Sequence, residues 1–269
     1  MRHELLVFYR TVSSYNSGQM QVVVNDLLTN YQLQGKGKLV LLLHGWGDSS
    51  AGSLALQQAL ATQYTVLAPD LPGFGKTQAP PTGWDLDDYA VFVQALLEKL
   101  GHQELYAVIG HSNGGAIAIR AIATNKLQPQ KLVLMAAAGI RSGQTWRRVL
   151  LQVLAKTGNL ASIGLPERYR NNLKRQLYKS AGSDLLAVEG MEETFKKTVR
   201  QDVQADAKTI TQPTLLLFAE KDEAVPIYMA RRYEELLPNS QLHLVAGAGH
   251  FVHLDAPDET LKTVEEFLA

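Results

Sequence analysis

The chain has 269 residues, no cysteine and a formal net charge of +0 at pH 7, and 46% of its residues are hydrophobic. This length suits one α/β domain with an insertion. The balanced charge gives no reason to expect nucleic acid or an acidic membrane as a partner. Without cysteine, disulfides, a cysteine nucleophile and thiolate metal sites are excluded. No apolar run approaches the ~20 residues of a membrane span and the N-terminus is a poor secretory signal, so we expect a cytoplasmic protein without a membrane span.

The sequence pattern in the first part of the chain predicts a short extension followed by strands. Residues 1–19 show no strong pattern, and we interpret them as an N-terminal extension outside the fold. Short strands are predicted over Gln21–Val24 and Leu28–Leu33. The continuous apolar run Leu39–Leu43 is typical of a strand covered on both faces. It leads directly into His44-Gly45-Trp46-Gly47.

Alternation of helix and strand continues from there. A helix is predicted over Leu54–Thr62 and a strand over Thr65–Ala68, which leads to Asp70-Leu71-Pro72-Gly73-Phe74-Gly75. The run Gly75-Lys76-Thr77 resembles the end of a phosphate loop, but that motif needs a glycine where Asp70 stands, so we reject a nucleotide site. Asp85 is predicted to cap a helix that runs to Leu100.

The most informative stretch is Gly110-His111-Ser112-Asn113-Gly114-Gly115. An apolar run precedes it and an Ala/Ile-rich helical run follows, which is the strand–turn–helix context that a Gly-x-Ser-x-Gly nucleophile turn needs. A serine on such a tight turn sits in a strained backbone and projects its hydroxyl from the end of the sheet. Side chains at Gly110 or Gly114 would collide with the neighbouring elements.

Residues 141–207 form a predicted helical insertion, or cap, between the strands Lys131–Met135 and Thr214–Ala219. No strand-like run occurs in the insertion, and its basic residues are expected to be a solvated face rather than an anion site. The predicted helices are Trp146–Lys156, Glu167–Lys179 and Asp184–Val203, and the apolar stripe expected to face the pocket includes Val149, Leu150, Val153, Leu154, Leu185, Leu186, Met191 and Phe195. A cap at this place would enclose the site and favour short acyl chains.

After the insertion the alternation of strand and helix resumes. The predicted elements are the strand Thr214–Ala219, a helix from Pro226 to Leu237, the strand Gln241–Val245 and a helix from Pro257 to Leu268. The sequence therefore predicts an α/β fold with a doubly wound, mostly parallel sheet. Its core domain is expected to comprise residues 20–140 and 208–269.

Four polar residues follow predicted strands, namely His44, Ser112, Asp222 and His250. Ligand and catalytic groups collect at the carboxyl ends of strands in such sheets. A serine needs an adjacent base to act as nucleophile, so we predict that His250 is the base of Ser112 and that Asp222 orients the imidazole. His44 is expected to be structural.

Alternatives to these assignments stay open. Glu220 or Glu223 could supply the acid, and Asp222 would then be a helix cap. His253 is the nearest rival of His250, but His250 alone follows a glycine-rich turn. His111 flanks Ser112 and is expected to point away from it. No spacing of histidine and carboxylate indicates a metal, because His250-x-x-His253 lacks the glutamate and the i,i+4 spacing of a zinc helix.

From about residue 20 to its C-terminus the chain resembles the α/β-hydrolase fold superfamily. The resemblance rests on the His44–Gly47 and Asp70–Gly75 stretches, the Ser112 turn, Asp222 with the following Val225-Pro226, and Gly249-His250. The order Ser–Asp–His is also that of the family. The resemblance implies that the backbone N–H groups of Trp46 and Asn113 form the oxyanion hole. Relatives more often carry Met or Gln at position 113, so Asn113 places a polar amide near the pocket.

These observations predict a serine hydrolase that cleaves small to medium carboxylic esters through an acyl-enzyme, with no cofactor and no metal. The same triad could instead serve carbon–carbon bond hydrolysis, amide hydrolysis or perhydrolysis. A non-catalytic ligand receptor on the same fold is a further alternative, because fold does not fix function. A dehalogenase is disfavoured, since those relatives place Asp where Ser112 stands.

Overall fold

A computed structural model describes residues 20–141, 188 and 190–269 of the chain. Its centre is an eight-stranded sheet in the order β1-β2-β4-β3-β5-β6-β7-β8. The strands are β1 (Met20–Val24), β2 (Leu27–Gln34), β3 (Leu39–Leu43), β4 (Thr65–Pro69), β5 (Ala107–His111), β6 (Lys131–Met135), β7 (Thr214–Ala219) and β8 (Ser240–Val245). Strand β2 is antiparallel to both β1 and β4, and the pairs from β4 through β8 are parallel. The predicted mostly parallel α/β sheet is confirmed.

Helices connect most of these strands. They are α1 (Leu54–Leu60), α2 (Leu86–Lys99), α3 (Asn113–Ala123), α4 (Glu192–Thr198), α5 (Gln204–Ala207), α6 (Ile227–Leu236), α7 (Val252–Asp255) and α8 (Pro257–Leu268). Within the described ranges, none of the helices has the length and apolar character needed to cross a membrane.

Successive side chains of the central strands supply two separate cores. In β3, Leu41 and Leu43 belong to a cluster that includes residues of α2, α3 and α6, whereas Val40 and Leu42 belong to a cluster that includes residues of α1 and α8. Because successive side chains of a strand point to opposite faces, the two clusters lie on opposite faces of the sheet. Helices on both faces explain why these strands read as continuous apolar runs.

The predicted cap of the second helix is confirmed. Asp85 has an extended backbone and its side chain accepts hydrogen bonds from the N–H groups of Asp87 and Asp88. The Asp88 side chain in turn accepts from the Asp85 N–H at 2.9 Å. This reciprocal capping box satisfies amides that have no partner inside the helix, and it fixes where α2 begins.

One predicted helix differs from the structure. The single helix predicted over Asp184–Val203 is wrong, because within the described residues of that range α4 covers Glu192–Thr198 alone. Gly190 has a φ of +81°, which a right-handed helix does not contain. The short helices α5 and α7 were not predicted. Most of the insertion lies outside the described residues, as do residues 1–19, the helices predicted over Trp146–Lys156 and Glu167–Lys179, and Val149, Leu150, Val153, Leu154, Leu185 and Leu186.

Asp70 ties together loops at the carboxyl end of the sheet. Its side chain is buried, and Oδ1 accepts a hydrogen bond from Ser50 N at 2.7 Å. Oδ2 accepts from Lys76 N and from Asn30 Nδ2, both at 2.9 Å. A Cβ at Gly75, where φ is +56°, would lie 2.3 Å from Asp70 Oδ2, so the loop closes tightly around the carboxylate.

We expect Asp70→Asn to lower the free energy of unfolding by about 3 kcal/mol, because an amide cannot accept hydrogen bonds on both of its polar atoms and leaves a buried donor unpaired. Urea unfolding followed by circular dichroism measures the change. The matched control is Asp26→Asn at an exposed turn with a φ of +64°, which Asn tolerates. The control is expected to stay within about 0.5 kcal/mol of the parent. Equal stabilities of the two variants would contradict the role of Asp70.

Candidate active site

Ser112 occupies the one-residue turn between β5 and α3. Its φ is +50° and its ψ is −117°, a conformation that residues with a Cβ rarely adopt. The Ser112 N–H donates to Met135 O at 3.0 Å, and the Ser112 carbonyl accepts from Gly115 N at 3.0 Å and Ala138 N at 2.9 Å. Bonds from β6, the following loop and α3 therefore hold the strained turn.

Glycines around Ser112 allow this close approach. A Cβ at Gly114 would lie 2.3 Å from Leu43 O and 2.7 Å from the carbonyl oxygen of the next residue. A Cβ at Gly110 would lie 2.6 Å from the Cα of Gly115. These neighbours are backbone atoms that cannot move aside, so the sequence requires glycine at both positions.

His250 lies between Ser112 and Asp222. Its Nε2 is 3.0 Å from Ser112 Oγ, and its Nδ1 is 2.8 Å from Asp222 Oδ2. A carboxylate accepts hydrogen bonds, which assigns the proton of the neutral ring to Nδ1. Nε2 is then free to accept the hydrogen bond of the Ser112 hydroxyl. The structure thus brings together the three residues that the sequence predicted as a triad.

The Asp222 side chain is completely buried, with an exposed fraction of 0%. Its second oxygen, Oδ1, accepts hydrogen bonds from the N–H groups of Ala224 and Val225, both at 2.8 Å. These bonds fix the carboxylate in the orientation that meets the imidazole. The rival acids Glu220 and Glu223 are exposed.

The residues expected to form the oxyanion hole flank Ser112. A Cβ at Gly45 would lie 3.1 Å from Ser112 Cβ, so the loop after β3 passes directly beside the serine, and Trp46 is its next residue. Asn113 is the first residue of α3, where backbone N–H groups have no partner within the helix. Amides at a helix N-terminus favour negative charge.

The side chains of Trp46 and Asn113 add polar groups beside the site. Trp46 packs edge-on against Phe74, with ring centroids 4.9 Å apart, and against Phe195, at 5.2 Å. The Nε1 of Trp46 and the Nδ2 of Asn113 are buried and have no acceptor in the described part of the chain.

His44 has the structural role that was expected. Its Nδ1 lies 2.7 Å from Gly45 O, and its Nε2 accepts a hydrogen bond from Leu71 N at 2.9 Å. Burial lowers the pKa of His44 from its usual 6.5 and keeps the ring neutral. His44 therefore links the loops that follow β3 and β4.

Two further histidines accompany the site. His253, the rival base, lies in α7 with its ring 5.1 Å from that of His111, while His250 makes the contacts with Ser112 and Asp222. His111 has Nε2 3.0 Å from the carbonyl oxygen of His250. Apart from its position directly before Ser112, nothing in the sequence pattern marks His111 as part of the site. Across the described ranges, no three His, Asp or Glu side chains are grouped as a metal site would require.

Comparison with known proteins agrees with the fold. The profile of the alpha/beta hydrolase family matches residues 40–263, so the chain belongs to that family. It is similar to a 2-hydroxymuconate semialdehyde hydrolase of Pseudomonas putida, with 26% identity over 93% of each chain. It is also 28% identical to a pimeloyl-acyl-carrier-protein methyl ester esterase of Shewanella woodyi, over 87% of this chain and 95% of the relative.

A solved structure supports the same assignment. The meta-cleavage product hydrolase of Pseudomonas fluorescens IP01, crystallised with acetates, matches with a TM-score of 0.70 and 26% identity. The match covers 92% of this chain and 96% of that one. Because the family model matches most of the chain and these relatives are named as a hydrolase and an esterase, the chain is an enzyme of the alpha/beta hydrolase family.

The strained backbone at Ser112 predicts that glycine is more stable there than alanine. We expect Ser112→Gly to exceed Ser112→Ala by about 1 kcal/mol in unfolding free energy, because relief of ~1–3 kcal/mol of strain outweighs glycine's entropy cost. Ala55→Gly on the exposed side of α1 is the control, and it should lose about 0.5–1 kcal/mol. A Ser112→Gly variant less stable than Ser112→Ala in urea unfolding would refute the strain.

Proposed function

We propose that the chain is a serine hydrolase that cleaves small to medium carboxylic esters through a Ser112–His250–Asp222 triad. The observation that carries this proposal is the continuous pair of contacts from Ser112 Oγ to His250 Nε2, at 3.0 Å, and from His250 Nδ1 to Asp222 Oδ2, at 2.8 Å. A hydroxyl, a neutral base and a buried carboxylate in this order are what acyl transfer requires.

In the proposed acylation step, Ser112 Oγ attacks the ester carbonyl carbon while its proton passes to His250 Nε2. The imidazolium that forms is stabilised by Asp222. The carbonyl oxygen becomes an oxyanion and accepts hydrogen bonds from the backbone N–H groups of Trp46 and Asn113. When the carbonyl re-forms, the bond to the alcohol oxygen breaks, and His250 returns the proton to that oxygen.

In the proposed deacylation step, a water molecule takes the place of the departed alcohol. His250 Nε2 accepts a proton from the water molecule while the water oxygen attacks the acyl carbon. The bond to Ser112 Oγ then breaks and the proton passes to Oγ, which regenerates the hydroxyl and releases the carboxylic acid.

Residues 141–207 are proposed to cap this site. Two buried residues of the segment contact loops of the core: a Cβ at Gly73, in the loop after β4, would lie 2.2 Å from the Met191 side chain, and Phe195 packs against Trp46, in the loop after β3. Trp84 N–H also donates to Thr194 Oγ1 at 2.9 Å, which fixes α4 to the core. A cap whose last part contacts the core at these loops would exclude water from the site and limit the length of the acyl chain.

Hydrolysis of a carbon–carbon bond next to a carbonyl is the second candidate. It is favoured by the relative named as a 2-hydroxymuconate semialdehyde hydrolase, which matches over 93% of each chain. The same nucleophile and base could serve either reaction. A direct assay with 2-hydroxymuconate semialdehyde beside the ester panel distinguishes the two candidates.

We expect Ser112→Ala to lower kcat for p-nitrophenyl esters by more than ~10³-fold, because removal of the nucleophile leaves only binding and oxyanion stabilisation. A panel from acetate to palmitate measures the rates, and short chains should be cleaved faster than long ones. A fluorophosphonate probe should label the parent and not the variant. Labelling that persists in Ser112→Ala would mean that another serine reacts, and labelling without turnover would favour a ligand receptor.

Asp222→Asn should lower kcat by up to ~10⁴-fold with the fold retained, since an amide at this place favours the wrong imidazole tautomer. The controls are Glu223→Gln and Glu220→Gln, which make the same chemical change at exposed neighbouring positions. We expect both controls to stay within about threefold of the parent, as is usual for exposed sites. A mild Asp222→Asn together with a damaging control would reassign the acid.

A further inference from the structure

The proposed triad leaves two buried histidines beside it without a role, His111 and His253, and His111 is the one that contacts the main chain of His250. His111 is the last residue of β5, directly before Ser112, and its side chain is buried with an exposed fraction of 2%. Its Nε2 lies 3.0 Å from the main-chain carbonyl oxygen of His250. A carbonyl only accepts hydrogen bonds, so this contact requires a proton on Nε2 of His111.

The other edge of the His111 ring faces the loop after β3. A Cβ at Gly45 would lie 3.0 Å from His111 Nδ1, and this nitrogen is buried with no hydrogen-bond partner in the described part of the chain. The ring also packs against that of His250, with centroids 5.0 Å apart, and against that of Phe251, at 5.3 Å. His111 therefore lies between the loop of the oxyanion hole and the loop of the base.

We propose that His111 is a positioning residue for His250, and that the hydrogen bond from its Nε2–H to the His250 carbonyl fixes the loop that presents the imidazole to Ser112. This inference rests on the proposed function, because the position of His250 matters to the rate only if His250 is the base. An aromatic ring alone would fill the same space, whereas the directed bond needs an N–H group at this point.

The surroundings of His111 keep it in the state that the bond requires. Burial lowers the pKa of His111 well below its usual 6.5, and the neighbouring rings of His250, His253 and His44 lower it further. A second proton on Nδ1 would be buried without an acceptor and would place a cation beside His250. Since Nε2 carries the proton of the neutral ring, His111 donates to the carbonyl throughout the neutral pH range.

His111→Phe tests the bond by retaining a planar ring while removing the donor. We expect kcat for p-nitrophenyl acetate and the rate of fluorophosphonate labelling to fall about 10- to 100-fold, because a small misplacement of a catalytic group costs this much. KM should change by less than about threefold, since His111 is not proposed to touch the substrate.

Two companion variants separate positioning from packing. In His111→Gln the side-chain nitrogen stands as many bonds from Cβ as Nε2 does in histidine, so it can donate to the same carbonyl. We expect it to restore kcat to within about fivefold of the parent. His253→Phe removes the neighbouring buried imidazole of the cluster and is expected to change kcat by less than about threefold.

Three results would overturn the proposal: His111→Phe within threefold of the parent, His111→Gln as slow as His111→Phe, or His253→Phe as damaging as His111→Phe. If His111→Phe does not fold, ¹⁵N-histidine NMR of the parent decides instead. A neutral His111 protonated on Nε2 at pH 7 supports the proposal, and a ring that carries its proton on Nδ1 refutes it. Labelling at Ser112 without ester turnover would reject the ester substrate, and the labelling rates would still test His111.

Discussion

The structure depends on the close approach of β5 and α3 at a single residue. One strained residue, Ser112, joins a fully buried strand to a helix that begins at Asn113, and the missing Cβ atoms of Gly110 and Gly114 make room for the crossing. The strained backbone conformation persists because the packing of the sheet and the helix on both sides of Ser112 fixes it. The position of the hydroxyl is therefore set by core packing rather than by the flexibility of a loop.

Parallel pairing brings the remaining groups to this point. Strands β5 to β8 pair in sequence, so their carboxyl ends lie along one edge of the sheet, and the loops after β7 and β8 carry Asp222 and His250. Each loop is held by bonds that do not involve Ser112. The amides of Ala224 and Val225 orient the carboxylate, and His111 bonds to the carbonyl of the histidine. The geometry is thus preorganised, which is what lowers a reaction barrier most effectively.

Much of this arrangement could be predicted because it leaves a local pattern. Apolar runs such as Leu39–Leu43 indicate strands that are buried on both faces, and the sheet predicted from them is confirmed. The glycines around Ser112 indicate a close approach of two backbone segments, which predicts the nucleophile turn. The bond from His111 to His250 joins residues 139 apart, and nothing local marks it. The helix predicted over Asp184–Val203 is wrong because Gly190 has a positive φ, and the sequence shows the glycine but not its backbone conformation.

The charges around His250 suit the transient cation that the proposed mechanism forms. Burial lowers the pKa values of His44, His111 and His253, so these three rings are neutral at neutral pH. Asp222 is the carboxylate in hydrogen-bond contact with His250. When His250 accepts a proton, the imidazolium is attracted to the Asp222 carboxylate, and no second cation among the neighbouring histidines offsets this attraction. The attraction is strong because the two charges lie in a poorly solvated place. A cluster of histidines beside a proposed base is thus compatible with catalysis, because the other three rings are neutral at neutral pH.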